Sequence, residues 1–248
     1  MSEDLVVDGG CTPDTLLSLW EQGLAHPPSA RADALLLQCA PGPPAPSTLG
    51  MRNRRLIDLH ARLFGDDLDL TSHCPACGAT VEFGSRCSAL TADAHAGGAP
   101  PIERIDADGY AVEFRLPDRA DVAAAAAHGD GDAFARALVH RCVVRAERDG
   151  AAAAVTGLPD PVLDAVSRRM ETLDPAALLS FALECPECAA RWSAPLDVEQ
   201  LLWTRVQAAA ERLLLDVDAL ARAYGWTEQE VLALAPARRA AYLQLAGA

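Results

Sequence analysis

Hydrophobic positions recur along this chain with two different periods, and the change of period divides it. From residue 12 to 39 the spacing predicts two short helices. Leu16, Leu19, Trp20 and Leu24 share one face, Thr12 is placed to cap the first helix, and Pro13 suits its first position. Residues 51–64 predict a basic amphipathic helix with Leu56, Leu59 and Leu63 on one side and Gly65 as its stop. The period then falls to two. Residues 69–83 and 178–194 each read as strand, turn, strand: Leu68 and Leu70 lead into Val81 and Phe83, and Phe181 and Leu183 lead into Trp192 and Ala194.

Between these two hairpins lie a third, over residues 101–116, and a fourth, over 143–155. The third turns at 106–109 and alternates Tyr110, Val112, Phe114 and Leu116; the fourth turns at Asp149-Gly150. Asp118 and Asp132 are candidate caps for two short helices ending near Arg141, and residues 160–173 predict a further helix. Asp197, with Gln200 to complete a capping box, opens the longest helix, which runs to Tyr224 and stops at Gly225. Thr227 and Glu230 form a second capping-box signature, and Pro236 opens a last helix. Residues 40–48 are Pro-rich, and the stretch following the first hairpin to about residue 100 is rich in Ala, Gly and Pro; both read as spacers.

The expected fold is therefore α+β and helix-rich. A split pair of β knuckles (66–84 and 178–196) holds a large inserted α/β lobe (101–175). An N-terminal helical region (1–65) and a C-terminal one (197–248) flank them. With 248 residues, half of them hydrophobic but only 5% aromatic, the core is expected to be built from Leu, Val and Ala. Acidic residues outnumber basic ones 35 to 21, for a net charge of −14, which argues against a nucleic-acid surface beyond one patch such as Arg52, Arg54 and Arg55. The same charge suits a basic protein partner. The opening MSEDLVVDGG lacks a signal pattern and no window approaches a membrane span, so the expected compartment is the cytoplasm.

The two C-P-x-C turns are the strongest chemical signal. Cys74-Pro75-Ala76-Cys77 and Cys185-Pro186-Glu187-Cys188 each supply two thiolates on a tight turn, and two such turns face to face complete a tetrahedron around one structural Zn2+. An all-thiolate site leaves no position open for water. Gly78 follows the first turn but Ala189 follows the second; a positive φ there strains Ala189. Two rivals stand beside this reading: a redox pair, which more often sits at a helix N-terminus, and two separate metal sites. His73 reads as a solvated loop residue. Cys11, Cys39, Cys87 and Cys142 have no paired spacing and read as small buried hydrophobes. Asp66, Asp67 and Asp69 read as a solvated acidic turn, the GDGD at 129–132 as a turn with a cap, and His60 and His140 as isolated. No catalytic signature is present, so a non-enzymatic role with no small-molecule substrate is expected.

The tail, LARAYGWTEQEVLALAPARRAAYLQL, is either a helical closure of the core or a docking element using Tyr224, Trp226, Arg238, Arg239 and Tyr242, with Trp203 as a further contact. This tail and the paired knuckles, supported by LLSLWEQGLAHPP, RNRRLIDLHARLFG and GYAVEFRLPDRADVAAAA, resemble the T4-like bacteriophage baseplate proteins, with relatives in contractile injection systems. Ala189 departs from the glycine expected in the second knuckle. The resemblance implies a structural or assembly role, other baseplate or tail proteins as partners, and incorporation into a tail-like particle or a transient chaperone function. A zinc-ribbon regulator that binds nucleic acid is the alternative.

Overall fold

The computed structural model describes residues 12–39, 48–92, 102–129 and 131–247. Cys11, most of the Pro-rich spacer, the end of the Ala/Gly/Pro stretch and Asp130 of the GDGD turn lie outside them. The class is α+β, as expected: ten helices and eight strands in small sheets among the described residues. The chain divides into two compact units. One comprises Met1–Pro43, Arg55–Ala89 and Ala182–Ala248; the other comprises Pro44–Arg54 and Leu90–Phe181.

The first unit begins with α1 (Pro13–Leu24) and α2 (Pro28–Cys39). The Thr12 hydroxyl accepts the Thr15 amide N–H at 3.2 Å, the cap expected from sequence. Helix α3 (Leu49–Phe64) enters from the second unit and buries Leu56, Ile57, Leu59 and Leu63. Strands β1 (Asp67–His73) and β2 (Thr80–Arg86) form the first knuckle hairpin, followed by the short α4 (Cys87–Thr91).

The long helix of this unit, α8 (Val198–Tyr224), is capped by Asp197, whose carboxylate accepts the Gln200 amide N–H at 2.9 Å. The Gln200 side chain turns away and donates to the Thr204 hydroxyl instead of closing the expected box. Gly225, at φ 72, ends the helix in the left-handed conformation. Helices α9 (Glu228–Leu232), with its Thr227–Glu230 capping box intact, and α10 (Pro236–Ala246) pack back on α8.

Trp203 is not a surface contact. It is 6% exposed, with its ring against Gly23 of α1 and the Arg31 guanidinium of α2 stacked over it at 4.6 Å. A β-carbon at Gly23 would lie 2.1 Å from Trp203 Cζ3.

In the second unit β3 (Glu103–Ala107), β4 (Tyr110–Phe114), β5 (Val143–Arg148) and β6 (Ala151–Ala152) form an antiparallel meander. Its two Asp-Gly turns hold positive φ at both residues: 54° and 78° at Asp108 and Gly109, 52° and 81° at Asp149 and Gly150. This is the mirror-image turn whose twist suits a hairpin. A bulge at Glu113/Phe114 leaves Val144 unpaired, and its side chain is exposed. One face of the sheet packs under α6 (Gly131–Cys142) and α7 (Asp160–Leu173), burying Val112, Phe114, Val143, Ala146, Val162 and Val166. The other face sets Arg104 opposite Glu113 and Glu113 opposite Arg145, an alternating charge row that suits water. Helix α6 starts at Gly131, so Asp132 lies inside its first turn and is not its cap.

Asp118 caps α5 (Arg119–Ala125) in a full capping box with Asp121. Asp121, 1% exposed, also binds the guanidinium groups of Arg115 and Arg141. Burial alone raises its carboxyl, but the Arg115 and Asp118 hydrogen bonds and the two arginine charges outweigh it and hold the group below its ordinary value. At the start of α3, the buried Asp174 carboxylate accepts the Gly50 amide N–H at 2.9 Å and lies 3.7 Å from Arg54. No helix among the described residues is long and apolar enough to cross a membrane.

Gly23→Ala weighs two opposing effects. The added methyl favours the helix by up to about 1 kcal/mol, while overpacking against Trp203 costs about 1–3 kcal/mol. The expected outcome is net destabilisation, read as a lower denaturant midpoint with little change in slope.

Candidate metal centre

The two knuckles are built alike. In the first, the Cys74 amide donates to the Ala79 carbonyl and the Gly78 amide to the Cys74 carbonyl, both at 2.9 Å. In the second, the Cys185 amide donates to the Ala190 carbonyl and the Ala189 amide to the Cys185 carbonyl, again both at 2.9 Å. The strands that carry them are β1 and β2 in one case, and β7 (Ser180–Glu184) and β8 (Arg191–Pro195) in the other. The residue after the second cysteine has positive φ in both: 76° at Gly78 and 57° at Ala189. Ala189 is thus an L-residue in a conformation that favours glycine, as its position in the turn implied.

The turns bring all four sulfurs together. Cys74 Sγ lies 3.6 Å from Cys188 Sγ, and Cys77 Sγ lies 3.6 Å from Cys185 Sγ. Each of the four lies within 4.8 Å of every other, an arrangement able to hold a metal ion. Cys74 and Cys185 are buried, whereas Cys77 and Cys188 are exposed.

Four thiols this close cannot all ionise unaided. Cys74 is held down to about 7, chiefly by the Cys77 amide N–H. Cys188 goes the other way: the Ala190 amide lowers it, but Cys77, burial and the sulfurs of Cys74 and Cys185 together push it up to about 12. A bound cation would remove the conflict by compensating the thiolate charges. The Trp192 indole N–H donates to the Ser72 hydroxyl at 3.4 Å, tying the second hairpin to the first beside the site.

The base of the first hairpin is fixed by a contact that spacing did not reveal. Cys87 Sγ and His60 Nδ1 share a hydrogen bond at 3.5 Å, both side chains being buried. Twenty-seven residues separate them, and no periodicity links the two. Nearby, the Asp66 carboxylate accepts the Ser88 amide at 2.8 Å and its hydroxyl at 2.7 Å. Burial, with the Arg205 charge, lowers His60 to about 4 against a weaker opposing hydrogen bond at Gly65. Burial and the Asp66 carboxylate push Cys87 up to about 11. The pair is therefore a neutral structural contact and not an activated thiol. Cys142 is also buried and pushed up to about 12, first by burial and then by Asp121; Cys39 is half-buried.

Among the remaining candidates, His73 is exposed and pairs with the Thr80 hydroxyl at 3.3 Å, outside the sulfur cluster. Asp66, Asp67 and Asp69 do not converge: Asp67 pairs with Arg86 at 3.4 Å and Asp69 with Arg205 at 4.0 Å, while Asp66 serves Ser88. Tyr224, Trp226 and Tyr242 come together in one aromatic cluster, and Arg238 is exposed. Arg239 is a correction to the docking set. It is 7% exposed and bound to Asp216 of α8 at 3.1 Å, so it anchors α10 and is not offered to a partner. No family model matches the chain, and no significant match was found among curated proteins or solved structures.

Two outcomes follow from this geometry. Ala189→Gly is expected to stabilise the metal-loaded protein by up to about 1 kcal/mol, and Gly78→Ala to destabilise it by a similar amount, measured by denaturant melts of both variants. His60 is lowered in the fold, so the unfolded chain binds the extra proton between about 6.5 and 4. Its stabilising contribution is full above about 6.5 and falls by up to roughly 3 kcal/mol as pH drops towards 4. In His60→Gln that share of the acid-side slope should be missing when melting is compared across pH.

Proposed function

We propose that this protein is a non-enzymatic structural or assembly component of a contractile phage tail or contractile injection-system baseplate, held together by one structural Zn2+. The observation that carries the zinc assignment is the convergence of four thiols from turns 107 residues apart. Four sulfurs at about 2.3 Å from one centre stand about 3.8 Å apart, which the 3.6 Å cross-knuckle distances match closely. The softness of four cysteine sulfurs favours zinc over oxygen-preferring cations. With four protein thiolates bound, the ion keeps no site for water or substrate, so its contribution is to the fold. Cys74, Cys77, Cys185 and Cys188 hold it; Ser72 and Trp192 fix the mutual position of the two hairpins around it.

The assembly role rests on the resemblance of the knuckles and tail to baseplate proteins, supported by an aromatic cluster at the end of α8. In the arginine patch on α3 that a nucleic-acid reading would use, Arg52 is 6% exposed and Arg54 lies beside the buried Asp174.

The purified protein is expected to carry one zinc per chain by elemental analysis. Cys74→Ser and Cys185→Ser should each lose the metal and cooperative melting together, since site formation supplies about 10 kcal/mol or more. A zinc-free variant that melts like the parent rules out the clamp. Expression among the other components of a tail particle should give co-purification with baseplate or tail proteins; recovery of the free chain alone, at every stage of assembly, contradicts the role.

A further inference from the structure

Three of the chain's seven tyrosines and tryptophans sit in one cluster where α8 ends and α10 returns past it. Tyr224 stacks on Trp226 with ring centroids 4.7 Å apart and planes at 23°. Tyr242 meets Trp226 edge-on at 4.8 Å and 88°, and Tyr224 at 5.6 Å and 69°. The Tyr224 hydroxyl donates to the Tyr242 carbonyl at 3.4 Å. The rings thus hold one another in place, so much of their rotamer freedom is already lost before any partner arrives. Yet they are not sealed off: Tyr224 is 39% exposed, and Trp226 and Tyr242 are half-buried. On α10 the spacing 238, 242, 245 places Arg238, Tyr242 and Leu245 along one face, and Leu245 is 77% exposed.

Charge says what this face selects. Elsewhere on these helices arginines are paired within the chain: Arg222 with Asp218, and Arg212 and Arg239 with Asp216. Arg238 is exposed and has no carboxylate partner among the described residues, on a chain whose acids outnumber its bases 35 to 21. An open guanidinium beside rigid aromatic rings is suited to a carboxylate set among apolar groups: the fork binds the carboxylate while the rings cover the carbon skeleton.

We propose that Tyr224, Trp226, Tyr242, Arg238 and Leu245 form the docking surface for a partner-protein segment that presents carboxylates beside apolar side chains. The existence of such a partner rests on the assembly reading above; the chemistry of the segment follows from the surface alone.

The test uses the full zinc-loaded chain and two fluorescent helical peptides, one with Glu beside Leu on one face and its Lys-for-Glu counterpart, with binding read by anisotropy. The Glu peptide is expected to bind and the Lys peptide to bind at least about tenfold more weakly. Tyr242→Ala should weaken the Glu peptide by a similar factor. Arg238→Glu, an exposed position whose variant should keep its zinc and melting temperature, should reverse the preference. No binding of the Glu peptide, equal binding of both, or a preference indifferent to Arg238→Glu overturns the proposal. A concentration-dependent dimer in sedimentation that Arg238→Glu abolishes also overturns it, in favour of a second copy as occupant. If the peptide preference holds but no baseplate or tail protein co-purifies, the assembly reading falls and the surface stands; the converse result removes the surface and leaves the assembly reading.

Discussion

In the first unit two short peptide turns meet, with all four of their sulfurs within 4.8 Å of one another. The knuckles contribute little burial: Cys77 and Cys188 are exposed, as are Pro75, Ala76, Pro186 and Glu187 around them. Such tips have almost no hydrophobic reason to hold a fixed distance. Four thiols this close repel as thiolates and share protons poorly, and under the proposed reading one cation satisfies them jointly. Because closure cost grows only logarithmically with loop length, the long separation in sequence hardly penalises this contact. A metal held there would join strands that pair only with their own hairpin neighbours, β1 with β2 and β7 with β8.

The long insertion between the knuckles carries packing of its own. The second unit has its own core, centred on Val112, Phe114, Val162 and Val166, all fully buried. It also satisfies its own buried charges. Asp121 gathers two arginines and a helix cap, and Asp174 accepts the Gly50 amide at the start of α3. Removing one partner from either group would strand a buried charge, which is why such residues are costly to change.

Arginine usage gives the molecule its electrostatic character. Arg52 and Arg239 are buried, Arg31 lies over Trp203, and Arg115 and Arg141 hold Asp121. Among the described residues the buried arginines, Arg52 and Arg239, are matched in number by the buried carboxylates Asp121 and Asp174, so the surface keeps the acidic balance of the sequence. Against that background a single open arginine beside three mutually packed rings is a specific feature, whereas an arginine cluster read from sequence, as on α3, is not.

The sequence by itself determined the elements and the four-cysteine set. Period-two runs gave the hairpins, Asp-Gly gave both mirror-image turns, Thr12, Asp118, Asp197 and Thr227 gave their caps, and the repeated C-P-x-C named the four sulfurs. These are local properties, fixed by a few neighbouring residues and their backbone preferences. The tertiary structure alone decided the other long-range pairings. It set His60 against Cys87, Trp203 against Gly23, Asp174 at the start of α3 and Arg239 on Asp216. None of these pairs has a spacing that betrays it, because each arises where separately formed elements pack, and burial and charge pairing at that contact depend on the partner's position in space and not along the chain.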